Sequence, residues 1–111
     1  MPRFFAGKLP DLNLGTAEGR SCAPSLQDRA AGVLGAAAGF THVVNGRFKG
    51  GYITRHYGKP EQGVHALQLE MAMSAYLDER APERYEPRRA ARLIAVLERL
   101  VAALVDWSPE R

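Results

Sequence analysis

Cysteine is almost missing from this chain of 111 residues. The single thiol, Cys22, excludes an internal disulfide, and a reducing cytoplasm is the simplest compartment for such a chain. Long apolar runs are missing too. The most apolar stretch, residues 93–107, is interrupted by Glu98 and Arg99 and is too short to span a bilayer as one apolar helix. The first eight residues lack the continuous apolar segment of a secretory signal. There is no repeat and no low-complexity tract. Gly15 to Gly19 is not a phosphate-binding loop, because no Gly-Lys-Ser/Thr follows it.

Acid is scarce in one place. Residues 41–63 carry Arg47, Lys49, Arg55 and Lys59 against Glu61 alone, so this segment holds an excess equal to the whole chain's formal charge of +3. The C-terminal third mixes Arg with Glu and Asp, as a solvated helical face does. A positive excess confined to one loop-rich segment points to a local anion site and away from a phosphate-backbone or membrane surface.

What is present has the composition of an ordinary soluble domain, with 46% hydrophobic and 24% charged residues. Residues 1–24 read as loop around a strand over 11–16. Ser25 reads as a helix N-cap, with Asp28 placed three residues on as in a capping box. The helix carries Leu26, Ala30, Val33, Leu34 and Ala37 on one stripe and stops at Gly39. Gly32 and Gly35 weaken it and suggest close packing on a sheet. Residues 40–45 have the β-branched content of a strand, and 46–51 form a loop. Residues 52–57 read as extended, 58–63 as loop, and 64–71 as the clearest strand. Alternation there puts His65, Leu67, Leu69 and Met71 on one face and Val64, Ala66, Gln68 and Glu70 on the other. Residues 72–84 read as a short helix and a turn at Pro82. A last helix begins at Pro87 and carries Ala90, Leu93, Ile94, Leu97, Leu100, Val101, Leu104 and Trp107 on a stripe that should cover a sheet.

This order predicts an α/β layered fold, with residues 1–111 as a single partial domain. Two main helices leave a sheet edge or face short of cover, which invites self-association through the uncovered sheet.

Two places could carry chemistry. Around Gly50-Gly51 the backbone can turn sharply and let a ligand approach, and Arg55 is suited to grip a carboxylate by two parallel hydrogen bonds. The competing interpretation is a solvated basic hairpin. Glu70 is a carboxylate on a strand otherwise built for burial, which is costly without a partner or a task. A general base is one such task; an edge Glu facing water or paired with Arg is the alternative. Metal-binding spacings such as H-E-x-x-H are missing, and His65 and Glu70 fall on opposite faces. Cys22 precedes a helix start, where a thiolate is stabilised, yet it has no nearby histidine in sequence.

The runs Pro10-Asp11-Leu12-Asn13-Leu14-Gly15-Thr16, Gly19-Arg20-Ser21-Cys22-Ala23-Pro24, Lys49-Gly50-Gly51-Tyr52-Ile53-Thr54-Arg55-His56-Tyr57-Gly58 and Gly63-Val64-His65-Ala66-Leu67-Gln68-Leu69-Glu70 occur in this order. Together they resemble the C-terminal half of the N-formylglutamate amidohydrolases. The resemblance implies a partial three-layer α/β/α mixed sheet, a fragment of a zinc-carboxypeptidase-like (phosphorylase/hydrolase-like) fold. It implies a zinc hydrolase that converts N-formyl-L-glutamate and water to formate and L-glutamate, late in histidine degradation. It makes Glu70 the base that activates water, Arg55 the partner of a substrate carboxylate, and His56, Lys49 and Tyr52 further substrate-binding candidates. In such enzymes a His, a Glu and a later His hold the metal, the last in an Asp-x-His-Ser-Met-Pro type motif. Met1-Pro2-Arg3 resembles the tail of that motif, so the ligands are expected upstream of Met1, no metal ligand is assigned within the chain, and the chain alone is expected to be inactive. A small dicarboxylate is the implied partner. The alternatives are a non-catalytic dicarboxylate-binding or assembly protein and a nonfunctional remnant.

Overall fold

A computed structural model of the chain describes residues 10–72 and 87–108. The short helix and turn expected over residues 72–84 fall almost wholly outside the described residues. In chain order the elements are β1 (Leu12–Gly15), α1 (Pro24–Gly35), β2 (His42–Val44), α2 (Tyr52–Tyr57), a 3-10 turn (Pro60–Gln62), β3 (Gln68–Met71) and α3 (Pro87–Asp106). The strands form one mixed sheet in the order β2-β1-β3. β1 runs parallel to β2, with Asn13 beside Val43, and antiparallel to β3, with Asn13 beside Glu70. Parallel strands need a long crossover, and α1 supplies it.

The two faces of the central strand differ in chemistry. Leu12 and Leu14 are buried in the core with Ala30, Leu34 and Ala37 of α1 and its end, and with Leu93, Val96 and Leu100 of α3. Leu69 and Met71 of β3 and Val44 of β2 pack around this cluster. The opposite face carries Asn13, Gln68 and Glu70, joined by their register and hydrogen bonds. Each fully buried leucine is worth about 1.5–3 kcal/mol relative to exposure, so the helix-covered face drives folding. The polar face is left to do something else.

Several boundaries differ from the sequence expectation. α1 starts one residue before Ser25: Ala23 takes the cap position, without a side-chain cap bond, and Pro24 takes the first turn. Proline's fixed φ and missing N–H suit that place, and the Ser25 hydroxyl instead accepts from the Trp107 indole at 3.1 Å. The helix ends at Gly35, not at Gly39, with Ala36 as its C-cap. A Cβ on Gly35 would meet the His42 ring at 3.3 Å, so this glycine does pack on the sheet, whereas Gly32 faces open space.

The largest correction is α2. Tyr52–Tyr57 is helical, not extended. Its tyrosines, Ile53 and Thr54 favour strands only when a pleated, half-buried surface receives them, and here Thr54 alone is buried while Tyr52, Ile53 and Tyr57 are exposed. The strand expected over 64–71 is confined to Gln68–Met71, with an isolated bridge between Lys59 and Val64. α3 begins at Pro87 as expected, but it packs beside α1 and the two share the sheet face. Val96, absent from the expected stripe, is buried, while Ile94 and Val101 are exposed.

Leu14→Ala is expected to lower the unfolding free energy by about 2–5 kcal/mol, because it opens a cavity in the shared core. Gly32→Ala is expected to raise it by about 0.5–1 kcal/mol, since alanine there costs nothing in space and favours the helix. Urea unfolding followed by circular dichroism measures both. A Leu14→Ala loss below about 1 kcal/mol would remove β1 from the core.

Candidate functional site

Glu70 lies on the polar face of the sheet, half-buried. The Gln68 Nε2–H group donates to its Oε1 at 2.8 Å. Period-two alternation places both side chains on one face, as the sequence suggests. Among the described residues no lysine or arginine is within ion-pair distance of Glu70. Its other oxygen takes no hydrogen bond among those residues.

Gln68 is itself held from behind. Its Oε1 accepts the Gly51 backbone N–H at 2.7 Å, with the Thr54 hydroxyl at 3.5 Å. Because Oε1 faces a donor, the amide cannot flip, and Nε2 must point at Glu70. The carbonyl of the same peptide unit, Gly50 O, accepts from Arg55 Nη1 at 2.8 Å. One peptide plane therefore connects the arginine to the carboxylate, through guanidinium, Gly50 C=O, Gly51 N–H, the Gln68 amide and Glu70. A cation on the carbonyl polarises the peptide and strengthens its N–H as a donor.

The loop can sit this way only with glycine at position 50. Gly50 has φ +122°, and a Cβ there would lie 2.9 Å from Thr54 Cγ2. The loop also lies directly on the end of β1, where Asn13 Nδ2 donates to Phe48 O at 2.6 Å.

The other candidates separate into two groups. Lys49 lines a hollow with Arg47, Phe48, Gly50, Gly51 and Gln68, beside the relay, and its ammonium is 3.8 Å from Glu18 in an exposed pair. Tyr52 and His56 instead stack on each other, ring centroids 4.8 Å apart, on the exposed outer side of α2, with Tyr57 edge-on to His56. His65 is apart from both groups. Its Nδ1 accepts the Ala23 N–H at 3.0 Å, and its ring meets Trp107 edge-on. Among the described residues no three of His, Cys, Asp and Glu gather as metal ligands would.

Cys22 is buried, and burial pushes its thiol pKa up more strongly than the hydrogen bond with the Gln27 backbone lowers it. It is a packed thiol and not an activated nucleophile.

Residues 1–77 match the family described as N-formylglutamate amidohydrolase. That match covers more than half of the chain. The chain belongs to the N-formylglutamate amidohydrolase family. It is 53% identical over all its residues to the N-formylglutamate deformylase of Pseudomonas aeruginosa and 51% identical to that of Pseudomonas putida, spanning 42% of the length of each. The crystal structure of an N-formylglutamate amidohydrolase from Ralstonia eutropha JMP134 superposes on 89% of this chain with a TM-score of 0.70, at 28% identity, over 35% of that enzyme.

Within this amidohydrolase segment, two residues of the site escaped the sequence reading. Gln68 was legible as a polar neighbour of Glu70 but not as the link to Arg55, because Gly51 meets it only through tertiary folding. Arg20 lines a cleft with Arg55, and its only signal was membership of the Gly19-Arg20-Ser21 run.

Gly50→Ala is expected to cost about 2–4 kcal/mol, from left-handed backbone strain plus the clash with Thr54. Urea unfolding measures it, and a neutral result would mean that the loop lies elsewhere. Cys22 yields a second expectation. The folded chain holds the thiol proton to higher pH than the unfolded chain does. The stability this gives is complete below the ordinary thiol pKa of about 8.5 and is lost as pH rises above it. A disulfide reagent should label native Cys22 slowly and unfolded Cys22 at once; equal rates would contradict its burial.

Proposed function

We propose that this chain forms the water-activating and carboxylate-gripping part of an N-formylglutamate deformylase-type hydrolase. The observation that carries the reading is the relay from Arg55 to Glu70 through the Gly50–Gly51 peptide. In this reading Glu70 takes a proton from water as the water oxygen bonds to the formyl carbon. The C–N bond then breaks, the proton passes to the leaving amine, and formate and L-glutamate result. Arg55 binds a carboxylate of the substrate with guanidinium donors not used on Gly50. Lys49, beside the relay, adds positive potential. Tyr52 and His56, on the outer side of α2, are weaker candidates for direct contact. The place in histidine degradation follows from the same reading, as do a cytoplasmic setting and the zinc-carboxypeptidase-like three-layer fold, of which residues 1–111 would form one part. Among the described residues no helix is long and apolar enough to cross a membrane.

Zinc belongs to this proposal only from outside the described residues. The three histidines are dispersed, and His65 Nδ1 is already taken by a backbone N–H. These residues do not compose a zinc site by themselves. The outer edges of β2 and β3 have no partner strand among the described residues, so self-association through them is part of the same proposal.

Purified chain with added zinc is expected to show no release of formate from N-formyl-L-glutamate, yet to bind it in a calorimetric titration. Arg55→Ala should weaken that binding about tenfold or more, the loss of a charge-assisted pair. Turnover by the chain that vanishes in Glu70→Gln would disprove its inactivity and confirm the base. Binding equal in wild type and Arg55→Ala would remove the carboxylate grip.

A further inference from the structure

Beside the relay is a cleft of about 210 Å³ lined by Ala17, Arg20, Ser21, Arg55 and Gly58. Two guanidinium groups share it, and among the described residues no acid lines it. Like charges in one small cleft repel unless an anion lies between them. Among the described residues each arginine is tethered by a single backbone carbonyl: Arg20 Nε donates to Ala17 O at 3.1 Å, and Arg55 Nη1 to Gly50 O. A guanidinium has five N–H donors, so most remain for a ligand. The Ser21 hydroxyl is spent on Ala66 O at 2.6 Å. The cleft floor is closed where Gly58 meets Ser21, since a Cβ on Gly58 would lie 2.5 Å from Ser21 Cβ. Recognition in the cleft therefore falls to the two arginines.

The placement of Arg20 is built at a cost. Ala17, Glu18 and Gly19 have φ of 50°, 58° and 87°, three left-handed residues in a row. For the two that carry a Cβ this costs about 1–2 kcal/mol each. Asn45, itself at φ 51°, holds the turn. Its Oδ1 accepts the Thr16 and Glu18 N–H groups at 2.9 and 3.3 Å, and its Nδ2 donates to Thr16 Oγ1 at 2.8 Å. Thr16 Oγ1 also accepts from Gly19 N at 3.1 Å and donates to Gln27. A strained turn held this completely fixes where the next residue, Arg20, leaves the backbone.

We infer that a small dicarboxylate binds across this cleft, one carboxylate on Arg55 and the other on Arg20, so that Arg20 is the residue that makes a second carboxylate on the ligand count. The inference rests on the deformylase reading for the identity of that ligand, but not for the existence of the anion site. A cleft of this size admits a carboxylate and its short chain and excludes a nucleotide.

The test is calorimetry at low salt on the whole chain, with glutarate, butyrate and N-formyl-L-glutamate as titrants and circular dichroism as the check on folding. Wild type should bind glutarate at least tenfold tighter than butyrate. Arg20→Ala should remove that preference and weaken glutarate about tenfold; Arg20→Lys, which keeps the charge but not the fork, should fall between. Arg99→Ala, at an exposed arginine of α3 outside the cleft, should leave glutarate binding unchanged. If Arg20→Ala binds glutarate as wild type does while Arg55→Ala does not, the role of Arg20 is overturned and the deformylase reading stands. If both arginine variants lose glutarate but wild type ignores N-formyl-L-glutamate, the anion cleft stands and the deformylase reading falls. If wild type binds none of the titrants, or butyrate as tightly as glutarate, the inference is overturned.

Discussion

The arrangement depends on one peptide unit, the bond between Gly50 and Gly51. Its carbonyl is held by Arg55 and its N–H by Gln68. Turn this plane by a half rotation and the guanidinium faces an N–H, the Gln68 amide loses the donor that orients it, and Glu70 faces a carbonyl oxygen in place of an amide N–H. The glycine at 50 is what lets the plane stand as it does, because its φ of +122° and its approach to Thr54 leave no room for a side chain. A Cβ on Gly15 would likewise lie 2.9 Å from Gly50 N, so the end of β1 and the loop are in backbone contact. The repeated glycines of this segment are thus steric permissions for two backbones to meet, and the polar groups act through the contact so made.

How much of this was legible depends on whether the determinant is local. Strand β1, the start of α3 at Pro87 and the shared face of Gln68 and Glu70 follow from period and from proline chemistry, both of which act over a few residues. The separation of His65 from Glu70 was expected from alternation along one strand, but His65 lies outside β3 and is held apart by the Ala23 N–H and the Trp107 ring. Helix α2 was not legible. Its residue types favour strand, and what makes it a helix is the contact of Thr54 with Gln68 and the capping of its end by Gly58 against Ser21. Both partners are far away in sequence. The left-handed turn at Ala17 and Glu18 was hidden for the same reason: neither residue favours positive φ, and the side chain that stabilises the turn, Asn45, comes after a whole helix.

The local charge excess also reads differently once folded. The sequence places four bases between residues 41 and 63. Folding sends Lys49 toward Glu18 and turns one edge of Arg55 back onto Gly50 O, and it brings in Arg20 from outside the segment. The exposed Lys49–Glu18 pair is worth little in stability. The proposed anion site is therefore narrower than the basic segment and partly made from elsewhere. Counting charge along the chain located the neighbourhood but not the pair of residues that would do the recognition.

Hydrogen-bonding capacity left over after folding says where a ligand can matter. Every buried side-chain nitrogen and oxygen among the described residues has a partner. Asp11 is answered by Thr41, Asn13 by Phe48, Thr16 by Asn45 and Ser21 by Ala66. Such groups are costly to bury and are therefore spent on holding the loops together. Against that background, the second oxygen of Glu70 and the outward N–H groups of Arg20 and Arg55 stand out, because they belong to side chains already oriented by other bonds. A group that is both fixed and unspent does not have to be reorganised when a ligand arrives. An acceptor at one end of a short rigid relay and donors at the other match the polarity of a ligand that brings a proton to one side and a carboxylate to the other.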